Sequence, residues 1–235
     1  MKDFRNVPAG TTGGALPPRV HAQAAPIDAE FWRDMTKRMA RKVHGFVGCP
    51  IARALTWRIE EERDLFTILA ADTSIDALEV FPEKLDLSID GERREWVPAI
   101  RVRRGRQVAI LDAMRGGEEG SSGRQRLNAA LAEIYRSRRI GYKAFKRGDV
   151  LAKPRFQHAL YVLDHRGTEP SSEDEFLVTQ VLSKRPWMSI EDLAREVAKP
   201  FVRHTAFDMG LRRKLQLDLN VPTPDEIRVA LRPEP

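Results

Sequence analysis

Trp96-Val97-Pro98-Ala99-Ile100-Arg101-Val102, then Arg103-Arg104-Gly105-Arg106, then Val108-Ala109-Ile110-Leu111-Asp112-Ala113-Met114: the reading of this stretch decides the fold. Trp96 to Val102 and Val108 to Leu111 are apolar or alternating, the pattern of strands, and the arginine-glycine run between them makes a hairpin. Upstream, Ala77 to Phe81 is a third strand-like segment, and Ser88 to Arg94, centred on Asp90-Gly91, reads as a hairpin turn. Before these, Trp57 to Ala71 reads as a helix through Ile59, Leu65, Ile68 and Leu69, with Glu60, Glu61 and Glu62 near its start, where the macrodipole favours acids. Downstream, Gly116 to Gly123 is a loop. Leu127, Leu131, Ile134 and Tyr135 then mark a helix flanked or lined by Arg124, Arg126, Arg136, Arg138 and Arg139. Tyr142 to Phe145 with Val150-Leu151 reads as a short strand and its exit, and Arg155 to Leu163 as a helix ending before Gly167.

The flanks read differently. Residues 1–26 carry Pro8, Gly10, Gly13, Gly14, Pro17, Pro18 and Pro26 with little apolar surface, the composition of a flexible tail. From the N-cap candidate Asp28, Phe31, Met35, Met39 and Val43 recur at helical spacing, and Arg33, Lys37, Arg38, Arg41 and Lys42 make that amphipathic helix basic. It is expected to belong to an α/β domain over 27–166. A Gly/Pro/Ser-rich linker from Gly167 to Ser172 separates a second unit, 167–235. There Glu173 to Ser183 is helical, Ser189 caps a helix with Ile190, Leu193, Ala194 and Val197, and a third helix runs from Val202 to Leu215. With the extended tail Leu217 to Leu231 they make a winged-helix-like module.

With 235 residues, 42% of them hydrophobic, a packed core is feasible. No apolar run reaches the length of a membrane helix and the N-terminus lacks signal-peptide order, so a cytoplasmic protein is expected. The lone Cys49 excludes an intramolecular disulfide and a Cys-rich zinc site, and reads as a small buried or half-buried residue. Forty Lys and Arg against 34 Asp and Glu, a formal charge of +6, suit a polyanionic partner.

Several phrases in order, Glu62-Arg63-Asp64-Leu65-Phe66, Trp96-Val97-Pro98-Ala99-Ile100, Ala109 to Met114, Gly148-Asp149-Val150 followed by Lys153-Pro154-Arg155, and Arg212 to Leu219, resemble the TnsA-like transposon endonucleases over roughly residues 55–230. The resemblance implies a restriction-endonuclease-like PD-(D/E)xK core with a C-terminal winged-helix-like domain. Such nucleases hold Mg²⁺ with carboxylates and use a lysine near the attacking water. Aligned this way, the helix glutamate is Glu62 and the second strand carboxylate Asp112. Ala99 stands where the aspartate after the proline belongs, and Met114 where the lysine belongs. A methyl cannot ligate Mg²⁺, and a thioether is neither cation nor base. The resemblance therefore implies a pseudo-nuclease with no cofactor. The alternative is an Mg²⁺-dependent endonuclease in which Glu95 or Asp90 replaces the missing ligand and Lys143 or Lys146 the lysine. On its own, each of Glu62 and Asp112 also reads as an ordinary helix-start or strand-end acid.

Other chemistries lack a basis. His21, His44, His158, His165 and His204 show no paired ligand spacing on one helix face, and no H-E-x-x-H, G-x-S-x-G or G-x-x-x-x-G-K motif occurs. What remains is surface. Arg101, Arg103, Arg104 and Arg106 crowd one hairpin, relieved by the acids Glu92, Glu95, Glu118 and Glu119, and Arg136, Arg138, Arg139, Lys143, Lys146 and Arg147 form a second cluster with few interleaved acids. Such groups suit phosphates. On the third C-terminal helix, Arg203, His204, Thr205, Asp208, Arg212 and Arg213 are types able to reach base edges. The expectation is a noncatalytic binder of double-stranded DNA, nucleoid-associated, serving a bacterial mobile element as regulator or accessory factor. The resemblance also implies a transposition-type ATPase or transposase as partner of the C-terminal unit, and a homodimer would fit a palindromic site.

Overall fold

The structure is a computed structural model describing residues 20–27, 29, 30, 32, 33, 37, 46–49, 51–167 and 169–233. It is a mixed α/β protein with several sheets and, among the described residues, seven α-helices. In chain order the elements are β1 (Val20–Ala25), β2 (Phe46–Cys49), β3 (Ala52–Thr56), α1 (Glu60–Ala71), β4 (Ala77–Val80), β5 (Lys84–Ile89) and β6 (Glu92–Trp96). Then come β7 (Ile100–Arg104), β8 (Gln107–Ala113), α2 (Ser122–Ser137), β9 (Gly141–Phe145), α3 (Arg147–Val150), α4 (Arg155–Leu163) and α5 (Ser172–Leu182). The chain closes with β10 (Met188–Ser189), α6 (Ile190–Val197), α7 (Val202–Leu211), β11 (Leu215–Asp218), a 3₁₀ turn at Pro224–Glu226 and β12 (Arg228–Leu231).

The chain separates into two units, each assembled from non-contiguous segments. The first takes the described residues before 46, then 57–62 and 78–147. Its four-stranded sheet runs β4-β7-β8-β9, with β7 and β8 antiparallel and β8 and β9 parallel. Parallel neighbours need a crossover, and α2 supplies it. Ser121 caps α2, its hydroxyl accepting from the Arg124 N–H. A second, antiparallel sheet runs β1-β5-β6. On β5 the alternation Leu85, Leu87, Ile89 turns one face inward, where it joins Ile110 and the α2 residues Leu127, Ala130, Leu131, Ile134 and Tyr135 in one core.

The second unit takes 46–56, 63–77 and 148 onward. In it the hairpin β2–β3, the greater part of α1, and α4 accompany α5, α6 and α7 and an antiparallel sheet of order β10-β12-β11. The linker at Gly167 is internal to this unit.

Several expectations change in detail. Val20–Ala25, inside the expected flexible tail, is a strand paired with β5; the rest of that tail before Val20 lies outside the described residues. Of the helix expected from Asp28, residues 29, 30, 32, 33 and 37 are helical, and Asp28, Phe31, Met35, Met39 and Val43 lie outside the described residues. Trp96 to Val102 is not one strand, because Val97-Pro98-Ala99 breaks it between β6 and β7; Pro98 has no N–H for a ladder. The Asp90-Gly91 turn is present, both residues at positive φ, but Ser88, Ile89 and Glu92 to Arg94, expected in the turn, belong to β5 and β6, strands that the sequence reading did not name. The third C-terminal helix ends at Leu211, and the tail beyond supplies β11 and β12. Cys49 is buried. No helix of the described residues is long and apolar enough to cross a membrane.

Candidate functional site

Asp112 ends the apolar run of β8 at 1% exposure, and its carboxylate is fully engaged. The backbone N–H of Ala99 donates to Oδ1 at 2.8 Å. The Trp96 indole N–H and the Tyr142 hydroxyl both donate to Oδ2 at 3.1 Å. Burial raises the Asp112 pKa above its usual value, opposed by the Ala99 N–H, by the charges of Arg58 and Arg124, and by Tyr142. Arg124 sits over the Trp96 ring at 4.7 Å. Two residues along the strand, Met114 is buried; its N–H donates to the Phe145 carbonyl and its sulfur accepts from Asn128 Nδ2 at 3.5 Å. Tyr142, held by the parallel register that pairs it with Ile110, also reaches Asn128 Oδ1 at 3.2 Å.

The three glutamates opening α1 have three different partners. Glu60 meets Arg147 at 3.6 Å, Glu61 accepts from the Gly116 N–H at 3.0 Å, and Glu62, 2% exposed, belongs to Arg58. Arg58 donates Nε (2.8 Å) and Nη2 to Glu62 Oε1, and its backbone N–H donates to Oε2 at 2.6 Å. That last bond is a capping-box contact displaced by one residue. The remaining guanidinium nitrogen, Nη1, donates to the Val97 carbonyl at 3.0 Å, and the group stacks on Phe81 at 4.5 Å.

Mg²⁺ demands near-octahedral oxygen ligation at about 2.1 Å, usually from carboxylates and water. The residues present do not fit it. Ala99 offers an N–H and no side-chain oxygen, Asp112 already accepts from three donors, and Glu62 is paired with a guanidinium. Among the described residues, no group of three or more His, Cys, Asp or Glu side chains is arranged to hold a metal ion. Of the expected substitutes, Glu95 is exposed and paired with Lys84, Asp90 is in the exposed hairpin turn, Lys143 lies over Phe145, and Lys146 is exposed just beyond the strand paired with the Asp112 segment.

Compared with known proteins, the sequence matches no family model and no curated protein.

The expected basic clusters are rearranged by the sheet. Arg101 is held by Glu79 and Glu83, while Arg103 and Arg106 are exposed at the β7–β8 turn with no ion pair among the described residues. Arg104 is half-buried beside them. In the second cluster Arg136 pairs with Glu133 one turn back on the same helix, while acids distant in sequence partner the other two, Glu83 for Arg138 and Glu60 for Arg147. Arg139, exposed and at positive φ, precedes β9; Lys143 lies over Phe145; Lys146 is exposed. Because Gly141 pairs with Ala109 and Phe145 with Ala113, Arg138 and Arg139 share the sheet end of Arg103, Arg104 and Arg106. Lys146 and Arg147 lie at the other end, beside Asp112 and Met114, about 16 Å away along a five-residue strand.

The C-terminal candidates are committed inward. Eight of the ten α7 residues are buried, Thr205 and Asp208 among them. Arg203 pairs with Asp225, and Arg212 with Asp208 and Glu175. Arg213 donates to the carbonyls of Ile75, Ala70, Gly210 and Leu211. His204 packs edge-on against His165, centroids 4.3 Å apart, a histidine pair invisible in the sequence spacing. Burial and His204 lower the His165 pKa. Eight buried positions of ten leave α7 little free face for a major groove. The sequence reading also missed Arg58, Trp96 and Tyr142. Only Arg58 left a signal, its i,i+4 spacing to Glu62.

Proposed function

We propose that this chain is a noncatalytic DNA-binding protein, a regulator or accessory factor of a bacterial mobile element, with a degenerate restriction-endonuclease-like core and a winged-helix-like module. The observation that carries the reading is the Ala99 N–H bonded to Asp112: where a metal nuclease presents a second ligand to the ion, this chain presents a donor to the first. The succession α1, β4, β7, β8, α2, β9, with the last strand parallel to β8, supports the core assignment. The succession α5, β10, α6, α7, β11, β12 with sheet order β10-β12-β11 supports the module. DNA contact belongs to the sheet end carrying Arg103, Arg106 and Arg139, cations that no acid among the described residues neutralises. Arg104, at the same end, is its secondary candidate, while Lys143 lies midway along β9 and Lys146 at the opposite end. The reading implies a cytoplasmic, nucleoid-associated protein that uses no cofactor.

The test pairs a labelled duplex titrated at two salt concentrations with supercoiled plasmid incubated with Mg²⁺ or Mn²⁺. Expected is binding that weakens steeply with salt and no nicking. Arg103→Ala, Arg106→Ala and Arg139→Ala should each lower the slope of log affinity against log salt by roughly 1, with similar loss on unrelated sequences. Nicking that needs metal and disappears in Asp112→Ala would instead establish the endonuclease reading.

A second reading concerns the C-terminal unit alone. The inward commitment of α7, together with Phe176 and Phe201 at 63% and 72% exposure, favours a protein partner there over DNA. A transposition-type ATPase or transposase is the partner the resemblance implies. Phe176→Ala with Phe201→Ala should abolish capture of such a partner and leave duplex affinity unchanged.

A further inference from the structure

We infer that the guanidinium of Arg58 replaces a divalent cation at this carboxylate site, so that a built-in charge joins the start of α1 to the strand break at 97–99. The inference rests on the degenerate-nuclease reading of this carboxylate site and holds whether or not the chain binds DNA.

A metal ion at such a site gathers oxygens from separate segments. Arg58 does the same with directed N–H groups: both oxygens of Glu62, through Nε, Nη2 and its own backbone N–H, and the carbonyl of Val97 through Nη1. Val97 stands two residues before Ala99, whose N–H in turn holds Asp112. The Phe81 face closes the remaining side of the cation at 4.5 Å. A guanidinium keeps its charge at every physiological pH and presents its donors in a fixed plane, so it fills the site permanently. An incoming Mg²⁺ or Mn²⁺ would have to expel Arg58, because a carboxylate already holding one cation resists a second at contact distance. Loss of the ligand at Ala99 and gain of Arg58 are then two halves of one exchange.

The full chain tests this by thermal melting in EDTA and in millimolar Mn²⁺. For the wild type, the two melting temperatures should agree within about 1 °C, since a site that does not bind cannot be stabilised by ligand. Arg58→Ala leaves the buried Glu62 without its counter-charge, holding only the backbone N–H of residue 58, and should melt several degrees lower in EDTA. Mn²⁺ should recover at least half of that loss, with Glu62 and the Val97 carbonyl released from the guanidinium and free to turn toward the ion. Arg58→Ala with Glu62→Gln removes the uncompensated charge, and should regain stability in EDTA and ignore Mn²⁺. The proposal is overturned by a wild-type melting temperature that Mn²⁺ raises through Glu62, or by an Arg58→Ala protein as indifferent to Mn²⁺ as the wild type. It is overturned equally if Arg58→Ala and the double variant stay unfolded with and without Mn²⁺, because Arg58 would then supply something no cation can.

Discussion

Three donors converge on one buried carboxylate at Asp112, and two of them share a single oxygen. An asparagine offers one acceptor oxygen and one NH₂. Facing Trp96 and Tyr142 with the oxygen, it turns the NH₂ against the Ala99 N–H; flipped, it turns the NH₂ against the indole. Asp112→Asn should therefore destabilise the protein by about 1–3 kcal/mol in urea unfolding, the cost of a buried donor left without an acceptor. The pH dependence follows from the raised pKa. A carboxyl whose folded pKa lies above its unfolded value contributes stability that is full below the ordinary aspartate value of 3.8 and is lost as pH rises through the folded value. The stability of the wild type relative to Asp112→Asn should fall as pH rises from 4 toward 7; a difference that grows with pH would refute the assigned direction. At this scale the sequence was half legible. Ala99 and Met114 are legible by residue type alone as neither Mg²⁺ ligand nor base. The groups that answer Asp112 lie 16 and 30 residues away: Tyr142 is brought in by the β8–β9 pairing and Trp96 by the end of β6 in the other sheet, neither encoded by a local pattern.

Elements were legible where one face is apolar and obscure where it is not. The α2 stripe of Leu127, Leu131, Ile134 and Tyr135 is buried as its spacing requires. By contrast β6 is exposed along nearly its whole length and carries two glutamates and two arginines, so it shows no alternation and owes its existence to pairing with β5. Helix α7 misled for the opposite reason: its polar residues suggest a wet face, but each meets an internal partner. Gly210 makes the tightness of that packing measurable. In a helix interior, Gly→Ala ordinarily stabilises by about 1 kcal/mol. At Gly210 an added Cβ would come within 2.7 Å of Leu217 Cδ1 and 2.9 Å of its Cγ, on β11. Gly210→Ala should thus destabilise by about 1–3 kcal/mol, the overpacking range. Gly123→Ala in α2, where the new methyl meets nothing within 4 Å, should be neutral or stabilising. Equal effects at both positions in chemical denaturation would remove the argument for a close α7–β11 contact.

At the scale of the whole chain, the division of the fold does not follow the order of the sequence. Composition marks a break at the Gly167 linker, because glycine, proline and serine cluster there, and it is silent about distant segments that return. The C-terminal elements receive the 63–77 segment through specific bonds: Arg213 to the Ala70 and Ile75 carbonyls, the Leu217 N–H to Thr73 Oγ1, and Arg232 to Asp76. They also receive α4, whose buried His158 bonds the Leu219 carbonyl through Nδ1 at 3.0 Å. A fragment of residues 167–235 would keep its three helices and small sheet but expose the α7 and β11 surfaces that these segments cover. It would also strip two of the four carbonyl acceptors from Arg213, a group that burial already holds below its usual pKa. Alone, this fragment should lack a cooperative thermal transition and show poorly dispersed amide resonances, while the intact chain melts cooperatively. Adding a peptide of residues 60–77 in excess should restore part of the dispersion, because the lost partners are returned without the covalent link. A fragment that folds by itself, with dispersion equal to the same residues in the intact protein, would mean that the contacts from 63–77 decorate an autonomous domain and that the linker at Gly167 is the true boundary.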